Sequence, residues 1–154
     1  MTELHFYYNT MRKQCQKTKP VAIHPTTCRG GGFLALLCVK ASTGVIIHYV
    51  CHLSSLDFHQ DEEEAIYRIV QESMTNSVRH GHATEIYITF ARDEDTLIII
   101  IEDNGTGCAE IKEGFGLHHM KERVRLLSGD VHFYSNHGFE VIVEIPLRKE
   151  DDSQ

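Results

Sequence analysis

A chain of 154 residues with 42% hydrophobic and 24% charged residues has the makeup of one folded domain plus a short appendage, and neither a disordered nor a fibrous composition. Its formal charge of −7 and the lack of any basic tract exclude a partner gripped mainly through a phosphate backbone, nucleic acid above all. No stretch reaches the roughly 18 apolar residues of a membrane span, and polar residues follow Met1, so a cytoplasmic piece without membrane contact of its own is expected, with room for a membrane anchor in a longer parent.

In chain order, Leu4, Tyr7, Tyr8, Met11 and Cys15 recur at helical intervals across residues 3 to 19. Pro20 and Pro25 break that pattern, and Gly30, Gly31 and Gly32 form a joint. The expected division is an appendage over residues 1–30, a folded domain over 31–148 and a disordered tail over 149–154. Within the domain, Phe33 to Ala41 suit an apolar helix and Val45 to Val50 a strand, with a loop over residues 51 to 60.

A long helix follows from Asp61 to His80, opened by the acids Asp61 to Glu64 and stopped by Gly81. Ile66, Tyr67, Ile69, Val70, Met74 and Val78 make its apolar arc, with Glu64, Arg68, Gln71, Thr75 and Arg79 on the wet side. Glu72, Asn76 and His80, at i, i+4 and i+8, form a row along the seam between the two. Such a row suits an anionic ligand carrying a metal: an amide oxygen ligates magnesium, an imidazole donates to phosphate, and a carboxylate takes a proton. The same row also suits the solvated border of an ordinary helix.

Glu85 to Ala91 and Thr96 to Glu102 then read as a hairpin, the first strand with one buried face and the second apolar from Leu97 to Ile101 and therefore central. Asp103, Asn104, Gly105, Thr106 and Gly107 follow, placing a carboxylate where the central strand leaves the core. An Asp there accepts from an exocyclic amine, and Gly105 and Gly107 let backbone approach a flat ring, although a self-capped turn has the same composition. Gly114, Phe115, Gly116 and Leu117 open a helix expected over Leu117 to Ser128 and ended by Gly129, whose free N–H groups suit phosphate. Val131 to Ser135 and Phe139 to Ile145 close the chain as a hairpin. This order suits a two-layer α/β sandwich, a mixed sheet with its helices on one face.

The five cysteines, Cys15, Cys28, Cys38, Cys51 and Cys108, show no paired zinc spacing and read as reduced thiols. His80 with His82, and His118 with His119, lack the companion ligands of a protein-only metal site.

Taken together, the segment from Ile66 to His80, the run Asp103 to Gly107, and Gly114-Phe115-Gly116-Leu117 resemble the N box and two glycine boxes of the GHKL ATPases, over about residues 61 to 146. Tyr67-Arg68-Ile69 before Gln71-Glu72, with Met120-Lys121-Glu122-Arg123, is similar to sensor histidine kinases that signal to helix-turn-helix response regulators. The resemblance implies ATP with Mg2+ as the bound species, held between helices and a lid over residues 108 to 115. It implies Asn76 at magnesium, Asp103 at adenine, His80, Gly114, Gly116 and Leu117 around the phosphates, Gly105 and Gly107 near the base, and Glu72 as the base or polarising group. It further implies a phosphoacceptor and dimerisation domain as partner, with residues 1–30 the remnant of its second helix, and hence no autophosphorylation by this piece alone. Gly138-Phe139 departs from the pattern, because Phe139 has no hydroxyl to help hold adenine. A nucleotide-sensing module without catalysis, or an anti-sigma serine kinase, is the alternative.

Overall fold

The computed structural model describes residues 44–51, 58 and 60–147. The helices expected over residues 3 to 19 and 33 to 41, the glycine joint, most of the loop over 51 to 60, the tail over 149–154 and the thiols of Cys15, Cys28 and Cys38 lie outside them. Within them run β1 (Ile46–Cys51), α1 (Gln60–Arg79), β2 (Glu85–Asp93), β3 (Thr96–Asp103), α2 (Phe115–Leu126), β4 (Asp130–Ser135) and β5 (Phe139–Pro146).

The strands make one mixed sheet in the order β1-β2-β3-β5-β4. β1 runs parallel to β2, which requires a crossover, and α1 supplies it. All other pairings are antiparallel. Apolar continuity puts β3 at the centre: Leu97, Ile99 and Ile101 enter the core beneath the helices, while Ile98 and Ile100 are buried with Ile142 on the opposite face. Both helices pack on the first of these faces, α1 through Ile66, Ile69, Val70 and Met74 and α2 through Met120 and Val124. Full burial of each such aliphatic side chain contributes about 1.5–3 kcal/mol.

The buried face of α1 also carries two residues that apolar periodicity passes over, Ser73 and Ser77. Ser73 turns its hydroxyl back to the Ile69 carbonyl at 2.9 Å, which lets a polar side chain sit in the core without an unmet donor.

The helix ends differ from the sequence-based expectation for local reasons. Helix α2 begins at Phe115 rather than Leu117, because Gly114 caps it and the His118 N–H already closes on the Gly114 carbonyl at 3.0 Å. The lid segment is shortened accordingly to residues 108–114. Neither Gly81 nor Gly129 supplies the left-handed residue at a helix end; His82 (φ 50°) and Ser128 (φ 57°) do. Those glycines are needed for close approach instead: a Cβ on Gly81 would lie 2.8 Å from the Ser77 carbonyl oxygen, and one on Gly129 would collide with the Glu144 carbonyl oxygen.

This distinction is measurable by urea unfolding. Gly129→Ala should lower stability by about 1–3 kcal/mol through backbone overpacking, whereas Ser128→Gly, which relieves a left-handed side chain, should leave it unchanged or raise it by up to about 1 kcal/mol. A larger loss from Ser128→Gly than from Gly129→Ala would reverse the assignment.

Candidate functional site

The site is built on the last residue of the central strand. Asp103 is only 3% exposed, and both carboxylate oxygens are committed. Oδ1 accepts the Gly105 N–H at 2.8 Å, the i to i+2 bond of an Asx turn, and the Phe139 N–H from β5 at 3.1 Å. Oδ2 accepts the Ser77 hydroxyl of α1 at 2.6 Å. Asp103 is thus both a self-capping turn residue and a cavity residue, the two readings its sequence context allowed.

Its neighbour Asn104 works on the structure alone. The Asn104 side chain accepts the N–H groups of Thr84 and Glu85, both at 2.9 Å, and donates to the Thr84 hydroxyl, so it fastens the glycine loop to the start of β2. Gly105 has a similar duty. Its missing Cβ leaves room for the Gly81 carbonyl, and the next N–H, of Thr106, donates to that carbonyl at 2.8 Å. Gly105 therefore packs the loop against the end of α1 and does not line the cavity, whereas Gly107, at φ 63° and close to Gly138 and Ser135, does.

A cavity of about 540 Å³ opens between α1, the glycine loop and the start of α2, within the range of small-molecule sites. Asp103 lies on its wall together with Glu72, Asn76 and His80, so the seam of α1 and the end of β3 share one hollow. Gly114, Gly116 and Leu117 line it as well. Thr75 and Arg79, assigned by periodicity to the wet side of α1, also face the cavity, as does Lys112 of the lid. The sign that could have found them is their adjacency to the polar row, one residue before Asn76 and one before His80.

The opposite end of the cavity is electropositive by construction. Helix α2 has no side-chain cap and no acid in its first turn, so its leading N–H groups and the positive end of its dipole face the cavity. A carboxylate of α1 approaches it: a Cβ on Gly116 would strike the Glu72 Oε1, with the Asn76 amide nitrogen 3.6 Å away. As placed, the Glu72 carboxylate occupies the space a side chain at Gly116 would take, and a Cβ there would push that carboxylate aside. An acceptor end at Asp103 and a donor end at α2, joined by one hollow, suit a ligand with an amine at one end and anionic oxygens at the other.

Residues 61–149 match the family model described as the histidine kinase-, DNA gyrase B-, and HSP90-like ATPase. The chain belongs to that ATPase family. Its relatives include the histidine-protein kinase/phosphatase UhpB of Salmonella typhimurium, 29% identical over 70% of this chain and 22% of that protein, and DegS of Brevibacillus brevis, 32% identical over 71% of this chain and 30% of that protein. The chain thus spans less than a third of the length of these relatives. The fold is shared with the ATP binding domain of PrrB from Mycobacterium tuberculosis, with a TM-score of 0.65 at 17% identity over 77% of this chain and 91% of that one. It is shared too with the blue-light activated histidine kinase of Erythrobacter litoralis EL346, at a TM-score of 0.66 and 18% identity over 77% and 40% of the two chains.

In this ATPase-family domain the lid is tied at both ends. At its start, the Ser135 hydroxyl accepts the Cys108 N–H at 2.6 Å and donates to the Cys108 carbonyl at 2.9 Å. At its end, Lys121 of α2 donates to Glu113 at 2.8 Å, with His118 at 3.5 Å from the other carboxylate oxygen. The hydrogen bond from the Lys121 ammonium holds the Glu113 carboxyl below the usual carboxylate range, outweighing the opposing effect of desolvation, with smaller contributions from His118. A depressed carboxylate favours the tied state above its unfolded pKa and releases it as pH falls through its folded value, so the tie holds at neutral pH and is lost only in acid, below the range in which an unpaired carboxylate protonates. Glu113→Gln should raise amide hydrogen exchange across residues 109–113 several-fold at pH 7 while leaving the exchange of β3 unchanged; equal protection in both proteins would show that the ion pair does not hold the lid.

Proposed function

We propose that this chain is the catalytic ATP-binding domain of a two-component sensor histidine kinase, transferring the γ-phosphoryl group of Mg-ATP to a histidine on a phosphoacceptor and dimerisation domain, from which a response regulator is then charged. The observation that carries this is the single cavity joining Asp103 to Glu72, Asn76 and the uncapped start of α2. Adenine would sit at the Asp103 end, its amine donating to the carboxylate, beside Gly107 and Phe139. The triphosphate would reach the N–H groups of α2 past Gly114, Gly116 and Leu117, with His80 as a further donor.

Magnesium fits this donor set as part of the nucleotide. Among the described residues no group of three or more His, Cys, Asp or Glu side chains is placed to hold a metal. Asn76 would hold the cation through its amide oxygen together with the nucleotide phosphates. Bound there, the cation offsets charge on the phosphoryl group in flight.

Glu72 is the catalytic residue in this reading. As the acceptor imidazole nitrogen bonds to the γ-phosphorus, the bond to the bridging oxygen breaks and ADP leaves with its electron pair. Glu72 takes the proton shed by the other ring nitrogen. Its place beside Gly116 sets it next to the phosphate end of the cavity.

In a calorimetric titration Mg-ATP should bind, and Asp103→Asn should weaken it by about 1–3 kcal/mol, the usual cost of stranding a buried polar partner. Affinity unchanged in that variant would remove the adenine contact. With a separately made phosphoacceptor dimer, label from ATP should appear on histidine, and Glu72→Gln should slow that transfer by about 10²–10⁴-fold with ATP affinity nearly constant; label on serine would favour the anti-sigma alternative.

A further inference from the structure

We infer that Ser77 is a positioning residue for base recognition: its hydroxyl fixes Asp103 so that the carboxylate turns a single acceptor position toward the cavity. This rests on reading the cavity as a nucleotide site.

An ionised carboxylate offers about four lone-pair positions. On Oδ1 two are filled by the N–H groups of Gly105 and Phe139. The backbone closes around that oxygen, for a Cβ at Gly81, Gly105 or Gly138 would come within 3.5, 2.9 and 3.2 Å of it. On Oδ2 one is filled by Ser77 at 2.6 Å. One acceptor position is left, and it belongs to the oxygen that Ser77 orients.

The Ser77 hydroxyl has one proton and two acceptors in reach, Asp103 at 2.6 Å and the Ser73 carbonyl at 3.0 Å. The shorter bond goes to a charged oxygen and is the stronger, so the proton belongs with Asp103. Because Ser73 remains as a fallback, the serine stays satisfied whichever way it turns. This explains how a hydroxyl only 6% exposed is tolerated in the core of α1 while being free to serve the carboxylate.

The neighbouring wall gives the arrangement its point. Phe139 contributes its backbone N–H to Asp103 but no side-chain hydroxyl, and its ring leans on Phe133 at 6.1 Å. A hydroxyl steadying the base-reading carboxylate therefore comes from α1, one residue beyond Asn76, so a single helical turn orients both ends of the cavity. A carboxylate with one open acceptor suits a lone exocyclic amine and offers no second parallel acceptor to a two-donor base edge.

The test compares ATP with purine riboside triphosphate, the same nucleotide without its 6-amine, by calorimetry on the wild-type chain and on Ser77→Ala. The preference for ATP should fall about three- to tenfold in Ser77→Ala, the scale of one hydrogen bond, while affinity for purine riboside triphosphate stays within about twofold. Ser77→Thr, which keeps the hydroxyl, should retain the wild-type preference. If Ser77→Ala does not fold, Ser77→Cys, a weak donor of similar size, should show the same loss of preference. An unchanged preference, or equal weakening toward both nucleotides, overturns the role of Ser77 alone. Wild-type protein that binds neither nucleotide overturns the reading of the cavity and this inference with it.

Discussion

Asp103 is where the fold and the site become the same object. It terminates the most deeply buried strand, and its carboxylate accepts from three separate parts of the chain: its own glycine loop, the start of β5, and the last turns of α1. A carboxylate this buried is tolerated only when such donors replace its water, and those donors exist only if helix, loop and sheet edge arrive together. The carboxylate on the cavity wall is thus also a check on tertiary assembly.

Close backbone approach serves the same end. Gly105 against the Gly81 carbonyl, Gly107 against the Gly138 carbonyl and Gly138 against the Asp103 carbonyl are contacts a Cβ would prevent, and at Gly116 a Cβ would displace the Glu72 carboxylate. Each shortens the distance between elements around the cavity, and only Gly107 and Gly138 also use a left-handed backbone. The glycine-rich look of the segment is therefore mostly a matter of packing. Residues 108–114 hold no regular structure, yet Ser135 grips one end of the segment and Lys121 the other, leaving the residues between exposed at the mouth of the cavity.

Much of this was legible in the chain. The period of α1, the alternation of β2 and the unbroken apolar run of β3 gave their elements and the central place of β3, because burial on one face or two leaves a pattern in composition. The polar row of Glu72, Asn76 and His80 was legible too, since helical spacing alone puts it on a line, and it does border the cavity. Less legible was the division of labour among neighbours. Asp103 and Asn104 look alike in sequence, yet one faces the hollow and the other fastens β2; Gly105 and Gly107 look alike, yet only the second lines the cavity. Ser73 and Ser77 were invisible to a hydrophobic count that scores serine as polar, although both are buried.

By itself, then, the order of residues determined the two-layer plan, the family and the three segments that meet, because periodicity and local motif chemistry act over a few residues at a time. Only the tertiary structure decided that Ser77 donates to Asp103 across 26 positions, that Glu72 fills the space above Gly116, and that Glu113 is tied back to Lys121. Those pairings depend on where a β1–α1–β2 crossover sets one helix against the start of another, a distance in space that no spacing along the chain encodes.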